Sequence, residues 1–289
     1  MSLKAADVRR MKKAHELCGN FGKICILLVC LCSLSGIVCA EPTTELTVSA
    51  YDNETILDSV TVDYKWMEEN LPVYGDGVTH YYHQGPIFAG DPWDPEETTN
   101  FKDRGAVKGT AIRDLVELVG GMKPNDEVMI KAVDGYHIEF PYDIIYTDEP
   151  RRGPLAICWY VGEDADKGER QGKGYVPDYH TGMRLVFLAD ASTNAEGLHV
   201  FGNYDMNQTT PSAAHYFYGG LLPSTSGLNV KWIDEIRVYK DGFKGEQGKP
   251  IKSLNEPTNK QDVHSTPLGV FSILCATCGA VGLFLWRRL

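Results

Sequence analysis

Cysteine is nearly absent from the body of this 289-residue chain. Five of the eight cysteines fall in residues 1–40, and Cys275 and Cys278 stand near the other end, so Cys158 is alone between 41 and 266. An internal disulfide in that body is therefore excluded, and its stability must come from a hydrophobic core. Positive charge is also scarce there, where acidic residues outnumber basic ones by 37 to 20. Such a surface repels polyanions and excludes nucleic-acid binding. Three motifs are missing as well: the Gly-x-Ser-x-Gly nucleophile elbow, the phosphate-cradling Gly-x-x-x-x-Gly-Lys and the metalloprotease His-Glu-x-x-His. Hydrolytic and nucleotide-dependent functions are left without positive support.

The two ends of the chain read differently from its middle. Arg9, Arg10, Lys12, Lys13 and Lys23 precede an apolar run over 24–38, and Val38-Cys39-Ala40 places small residues before Glu41. That is the layout of a secretory signal peptide, 1–40, cleaved after Ala40, with an uncleaved N-terminal anchor as the alternative. Residues 268–286 form a second apolar run without charge, long enough to cross a bilayer, between Pro267 and Arg287-Arg288. Basic residues stay cytoplasmic, so a membrane helix over 267–286 leaves 287–289 inside and the bulk of the chain extracytoplasmic. Cys275-x-x-Cys278 lies within this run and reads as small helix-packing residues rather than a redox or zinc half-site. Lys, Gly, Pro, Asn and Gln dominate 241–266, a polar tether.

Between the ends, about 200 residues suit a single mixed α/β domain, 41–240. The best-patterned stretch is 108–146. Ile112, Leu115, Val116 and Val119 share one helical face, Thr110 suits the N-cap and Gly120-Gly121 suits the stop. Residues 127–133 then alternate into Asp134-Gly135, a hairpin dipeptide. Further strands are expected at 46–50, 60–64, 154–160, 183–188, 198–201 and 230–239, with a helical turn over 65–70. Residues 73–105, rich in Gly, Pro and aromatics, read as one long functional loop. Asn53-Glu54-Thr55 and Asn207-Gln208-Thr209 match the glycosylation sequon and chiefly predict exposure.

Two groups of side chains could carry chemistry. His80 and His83, with Asp76 and Asp91 near them in sequence, offer imidazole and carboxylate ligands for zinc, copper or iron. The competing reading makes His80-Tyr81-Tyr82-His83 an aromatic segment packed on the domain with hydrogen-bonded tips. The second group is Asp178, His180, Arg184, His199 and His215 in the later half. Of these Arg184 is the best candidate for an anion contact, against the alternative of an exposed strand arginine paired with an acid.

Three landmarks occur in a telling order: the helix with Gly121, the run over 128–136 ending in Asp134-Gly135-Tyr136, and the pair Gly182-Met183-Arg184-Leu185-Val186 and Val230-Lys231-Trp232-Ile233. Together they resemble the oxidoreductase molybdopterin-binding domain of the sulfite oxidase type. They also resemble membrane-anchored surface proteins of methanogenic archaea built on such a domain. The likeness covers roughly 108–240 and is weaker over 41–107. It implies a mixed sheet, a turn at Asp134, Gly135 and Tyr136 beside the cofactor pocket, and Arg184 and His180 reaching the pterin phosphate. One departure is decisive for chemistry. That family binds molybdenum through a cysteine thiolate placed before the helix, and none lies between Glu41 and Ile157 here. The expected function is a ligand- or partner-binding relative lacking the usual molybdenum chemistry, with its pocket near His80–Trp93. A molybdopterin- or metal-dependent oxidoreductase and a structural envelope protein are the alternatives.

Overall fold

A computed structural model describes residues 42–166, 168–179 and 182–245. The signal, most of the tether and the apolar run over 268–286 lie outside the described residues, as does His180. Among the described residues, no helix is long and apolar enough to cross a membrane.

The class is mixed α+β: two large sheets and a two-stranded ladder of β11 (Phe217–Tyr218) with β12 (Leu222–Pro223), with few, short helices. The first sheet has the order β2–β1–β13–β5–β6, made from Thr55–Asp63, Glu45–Asp52, Ile233–Tyr239, Glu127–Ala132 and His137–Pro141. β1 and β13 run parallel and the remaining pairs antiparallel, so the sheet is mixed. Alternation explains its faces. Leu46, Val48 and Ala50 of β1 are buried, whereas Ile56 and Leu57 on the edge strand β2 are each 56% exposed. The second sheet runs β10–β3–β4–β7–β8, from His199–Phe201, His80–Gln84, Phe101–Ala111, Leu155–Glu163 and Gly174–Tyr175. β9, Arg184–Phe187, also pairs with β7. β7 is central, and its run from Leu155 to Trp159 is buried on both faces, as a continuous apolar stretch predicts.

A short helix over Ile112–Glu117, α2, follows β4 and lays Ile112, Leu115 and Val116 into the core common to both sheets. α1 is Tyr64–Asn70, capped by the Asp63 carboxylate, which accepts the Trp66 N–H at 2.8 Å. α3 is Tyr142–Tyr146 and α4 is Asn203–Thr209. Two expectations need correction. Thr110 is not an N-cap: it remains in β4, paired with Ile157, and its hydroxyl accepts the indole N–H of Trp159 at 3.1 Å. The ladder to β7 therefore claims Thr110 and Ala111 before the helix begins. Residues 73–105 are not one loop either, because they contain β3 and the start of β4. The helix stop and the hairpin form as expected. Gly120 and Gly121 take φ of 88° and 66°, and Gly135 takes 87° in the turn joining β5 to β6.

Candidate functional site

β3 and β4 are antiparallel neighbours, with Tyr82 opposite Asp103 and His83 opposite Lys102. Because side chains alternate along a strand, Tyr82 and Asp103 share one face while His83 and Arg104 share the other. His80 and His83, three apart on β3, point to opposite faces and cannot hold one metal ion together. Among the described residues His80 lies instead with Asp103 and Asp166. Asp76 does not reach them; its carboxylate closes its own turn by accepting the N–H groups of Val78 and Thr79.

The inner face gathers cationic groups. His83 is fully buried, and its Nε2 accepts the N–H of Phe187 at 3.2 Å, so in the neutral ring the proton sits on Nδ1. Burial, reinforced by Arg104 and Arg184, pushes its pKa well below the ordinary histidine value. Arg184 on β9 is 1% exposed, and one of its terminal N–H groups donates to the Arg104 carbonyl. Arg104 keeps part of its side chain at the surface, and its guanidinium donates to Ser226 Oγ at 2.5 Å. Burial and the neighbouring Arg184 lower its pKa to about 9, against weaker opposition from Glu169 and Asp103. Neither arginine forms an ion pair among the described residues, which excludes the exposed, acid-paired arginine as a reading of Arg184. His83 Nδ1, Arg104 Nε, Arg184 Nε and Asn229 Oδ1 are buried without a hydrogen-bond partner. Three of these four are donors. Unmet buried donors on two guanidinium groups and the neighbouring imidazole complement a negative charge.

Tyr136 reaches this region indirectly. Its hydroxyl donates to the Gly227 carbonyl at 2.9 Å, steadying the 3-10 turn Thr225–Leu228 that carries Ser226. Asp134 only shapes the turn, accepting the Tyr136 N–H at 2.9 Å. Within the stretch His80–Trp93, where the pocket is expected, the aromatic side chains go separate ways. Trp93 packs on His215 and Phe217, while Tyr81 is a core residue whose hydroxyl donates to Asp190. Cys158 is buried on β7, its thiol pushed up to about 12 by burial. Fully enclosed in the core, that sulfur is not presented to any cavity, so Cys158 does not fit cysteine ligation of molybdenum.

The outer face is the opposite in character. Asp103, 2% exposed, accepts the Gly105 N–H at 2.6 Å through one oxygen. Its other oxygen takes the Asp166 N–H and pairs with His80 Nδ1, both at 2.7 Å. Burial lowers the His80 pKa, but the Asp103 hydrogen bond and charge outweigh it and leave the net shift upward. A cavity of about 330 Å³ opens here, lined by His80, Tyr82, Glu163 and Asp166 among others. A larger cleft of about 440 Å³ beside α2 includes Arg113, Asp148 and Asp190, but it contains none of the unpartnered donors. Sequence inspection missed Arg104, Ser226, Asp103 and Asp166. The only available signal was the alternation of Asp103 and Arg104, legible once 101–111 is known to be a strand.

Neither the protein-family models nor the curated proteins contain a match to this chain.

Proposed function

We propose that the domain binds an anionic ligand of the phosphate or oxyanion class on the inner face of β3, β4 and β9, with Arg104 and Arg184 as its charge partners and His83 as a neutral donor. The reading keeps the molybdopterin-binding likeness as the source of the scaffold and does without cysteine-held molybdenum. In it, the 268–286 run holds the domain at the outer membrane face. One observation carries it: a 1%-exposed arginine lies beside a second arginine, each with an unmet buried Nε donor and with His83 Nδ1 as a third, and no acid forms an ion pair with either among the described residues. Burying such charge uncompensated costs several kcal/mol, which an anion would offset.

The test titrates the purified full-length chain with inorganic phosphate and sulfate, followed by calorimetry and thermal unfolding. Binding should raise the unfolding temperature, and Arg184→Leu and Arg104→Gln should each weaken it by about tenfold or more. Unchanged affinity in both variants would sink the proposal. Metal analysis of the same protein separates the oxidoreductase alternative. Stoichiometric molybdenum with pterin fluorescence after denaturation would favour that alternative, and their absence would favour simple ligand binding.

A further inference from the structure

The outer face of the same strands holds a different arrangement. One potential ligand atom from each of His80, Asp103 and Asp166 lies within 4.8 Å of the others, and Glu163 Oε2 stands 3.5 Å from His80 Nε2. Asp103, Glu163 and Asp166 bring three carboxylates to one imidazole, and none forms an ion pair with a lysine or arginine among the described residues. Asp164, next to them, is held in place locally, its Oδ1 accepting the N–H groups of Ala165 and Gln171.

The four groups are not equivalent. Asp103 is saturated by two backbone N–H groups and the His80 ring, and its side chain is fully enclosed. It can orient a ligand, but it has little left to offer a cation directly. In the neutral ring, holding His80 Nδ1 as a donor leaves the Nε2 lone pair on the far side, toward Glu163 and the cavity, and a metal ion would take the place of the Nε2 proton of the charged ring. A buried carboxylate behind a histidine, with the second ring nitrogen presented outward, is how metal-ligating histidines are held in orientation. Glu163, whose side chain is 72% exposed, and Asp166, also exposed, are free to turn toward an ion.

We propose that this cavity binds a divalent transition-metal ion through His80 Nε2, Glu163 and Asp166, with Asp103 as the residue that positions the imidazole. An imidazole among carboxylates selects ions of the zinc, cobalt and manganese class over calcium and magnesium, which prefer all-oxygen sites. Three protein ligands leave at least one position for water. The site stands apart from the anion pocket, since Asp103 and Arg104 leave β4 on opposite faces, and neither proposal depends on the other.

The experiment uses the full-length chain stripped of metal and titrated with Zn²⁺ by calorimetry, with Co²⁺ absorption as a second probe. The wild-type chain should take up one equivalent more than His80→Ala. Taking that difference removes any uptake by Cys275 and Cys278. Glu163→Gln alters an exposed side chain and should keep the fold by circular dichroism while weakening Zn²⁺ by about tenfold. Asp103→Asn should weaken binding without changing the stoichiometry, which separates positioning from ligation. Equal stoichiometry and affinity in wild type, His80→Ala and Glu163→Gln would overturn the site, as would a wild-type chain that takes up no Zn²⁺.

Discussion

His80 and His83 belong to one five-residue strand, yet their surroundings differ in almost every respect. His80 is partly exposed, held by a buried carboxylate and shifted toward its charged form. His83 is sealed in the core, accepts a backbone N–H and is kept neutral by burial and two arginines. The difference follows from strand geometry, because alternation turns a spacing of three into opposite faces. One face of β4 presents Asp103 and the other Arg104, so two adjacent residues supply opposite charges to two separate sites. Spacing in sequence is therefore a poor guide to ligand sets until the secondary structure is known. On a helix, the same two histidines would have been neighbours.

The contrast can be broken most severely from the acidic side. Asp103→Leu removes the acceptor for Gly105 N–H, Asp166 N–H and His80 Nδ1 together. A loss of about 3 kcal/mol is expected from leaving several buried donors unsatisfied. Urea unfolding measures it, and a loss below about 1 kcal/mol would show that water replaces the carboxylate without difficulty. His83 sharpens the comparison through pH. In the unfolded chain a histidine takes up its proton near 6.5, whereas the folded chain resists that proton to well below this value. The unfolded state then binds more protons below 6.5, so the contribution of His83 is complete above that pH and is lost as acidity increases. The slope should approach about 1.4 kcal/mol per pH unit within the window. His83→Gln should flatten it, and an unchanged pH profile of stability in that variant would assign the slope to other groups. The smallest effect is expected from Tyr136→Phe, which removes only the bond to Gly227 O. Stability should fall by about 1 kcal/mol or less, with a modest weakening of phosphate binding as the turn carrying Ser226 loosens. Phosphate affinity equal to wild type would separate the Asp134-Gly135-Tyr136 turn from the anion pocket.

Local pattern made much of the fold legible. The apolar positions of α2, the paired glycines after it, the hairpin at Gly135 and the central strand, expected over 154–160, all follow from periodicity and turn chemistry. What escaped was decided by partners distant in sequence. Thr110 looks like a cap until β7 supplies Ile157 as its ladder partner and Trp159 as its hydrogen-bond donor. β3 is made of His, Tyr and Gln, and every residue after His80 is buried whichever face it takes, so it shows no contrast between polar and apolar positions. Arg184 could be singled out from its motif, but its companion Arg104 could not. The two meet only because β4 and β9 both pair with β7. Of the remaining expected site residues, Tyr136 acts through Gly227 and Asp134 serves the turn, while His180 lies outside the described residues.

The parallel pairing of β1 with β13 has a mechanical consequence. These are the first and last strands of the described domain, in register from Thr47 with Glu235 to Tyr51 with Tyr239. Because they run the same way, the chain enters at one end of the pair and leaves at the other. A pull applied between residues 42 and 245 would therefore load their interstrand hydrogen bonds side by side, in shear, instead of peeling them apart singly. The domain is built to resist being stretched along its own chain ends.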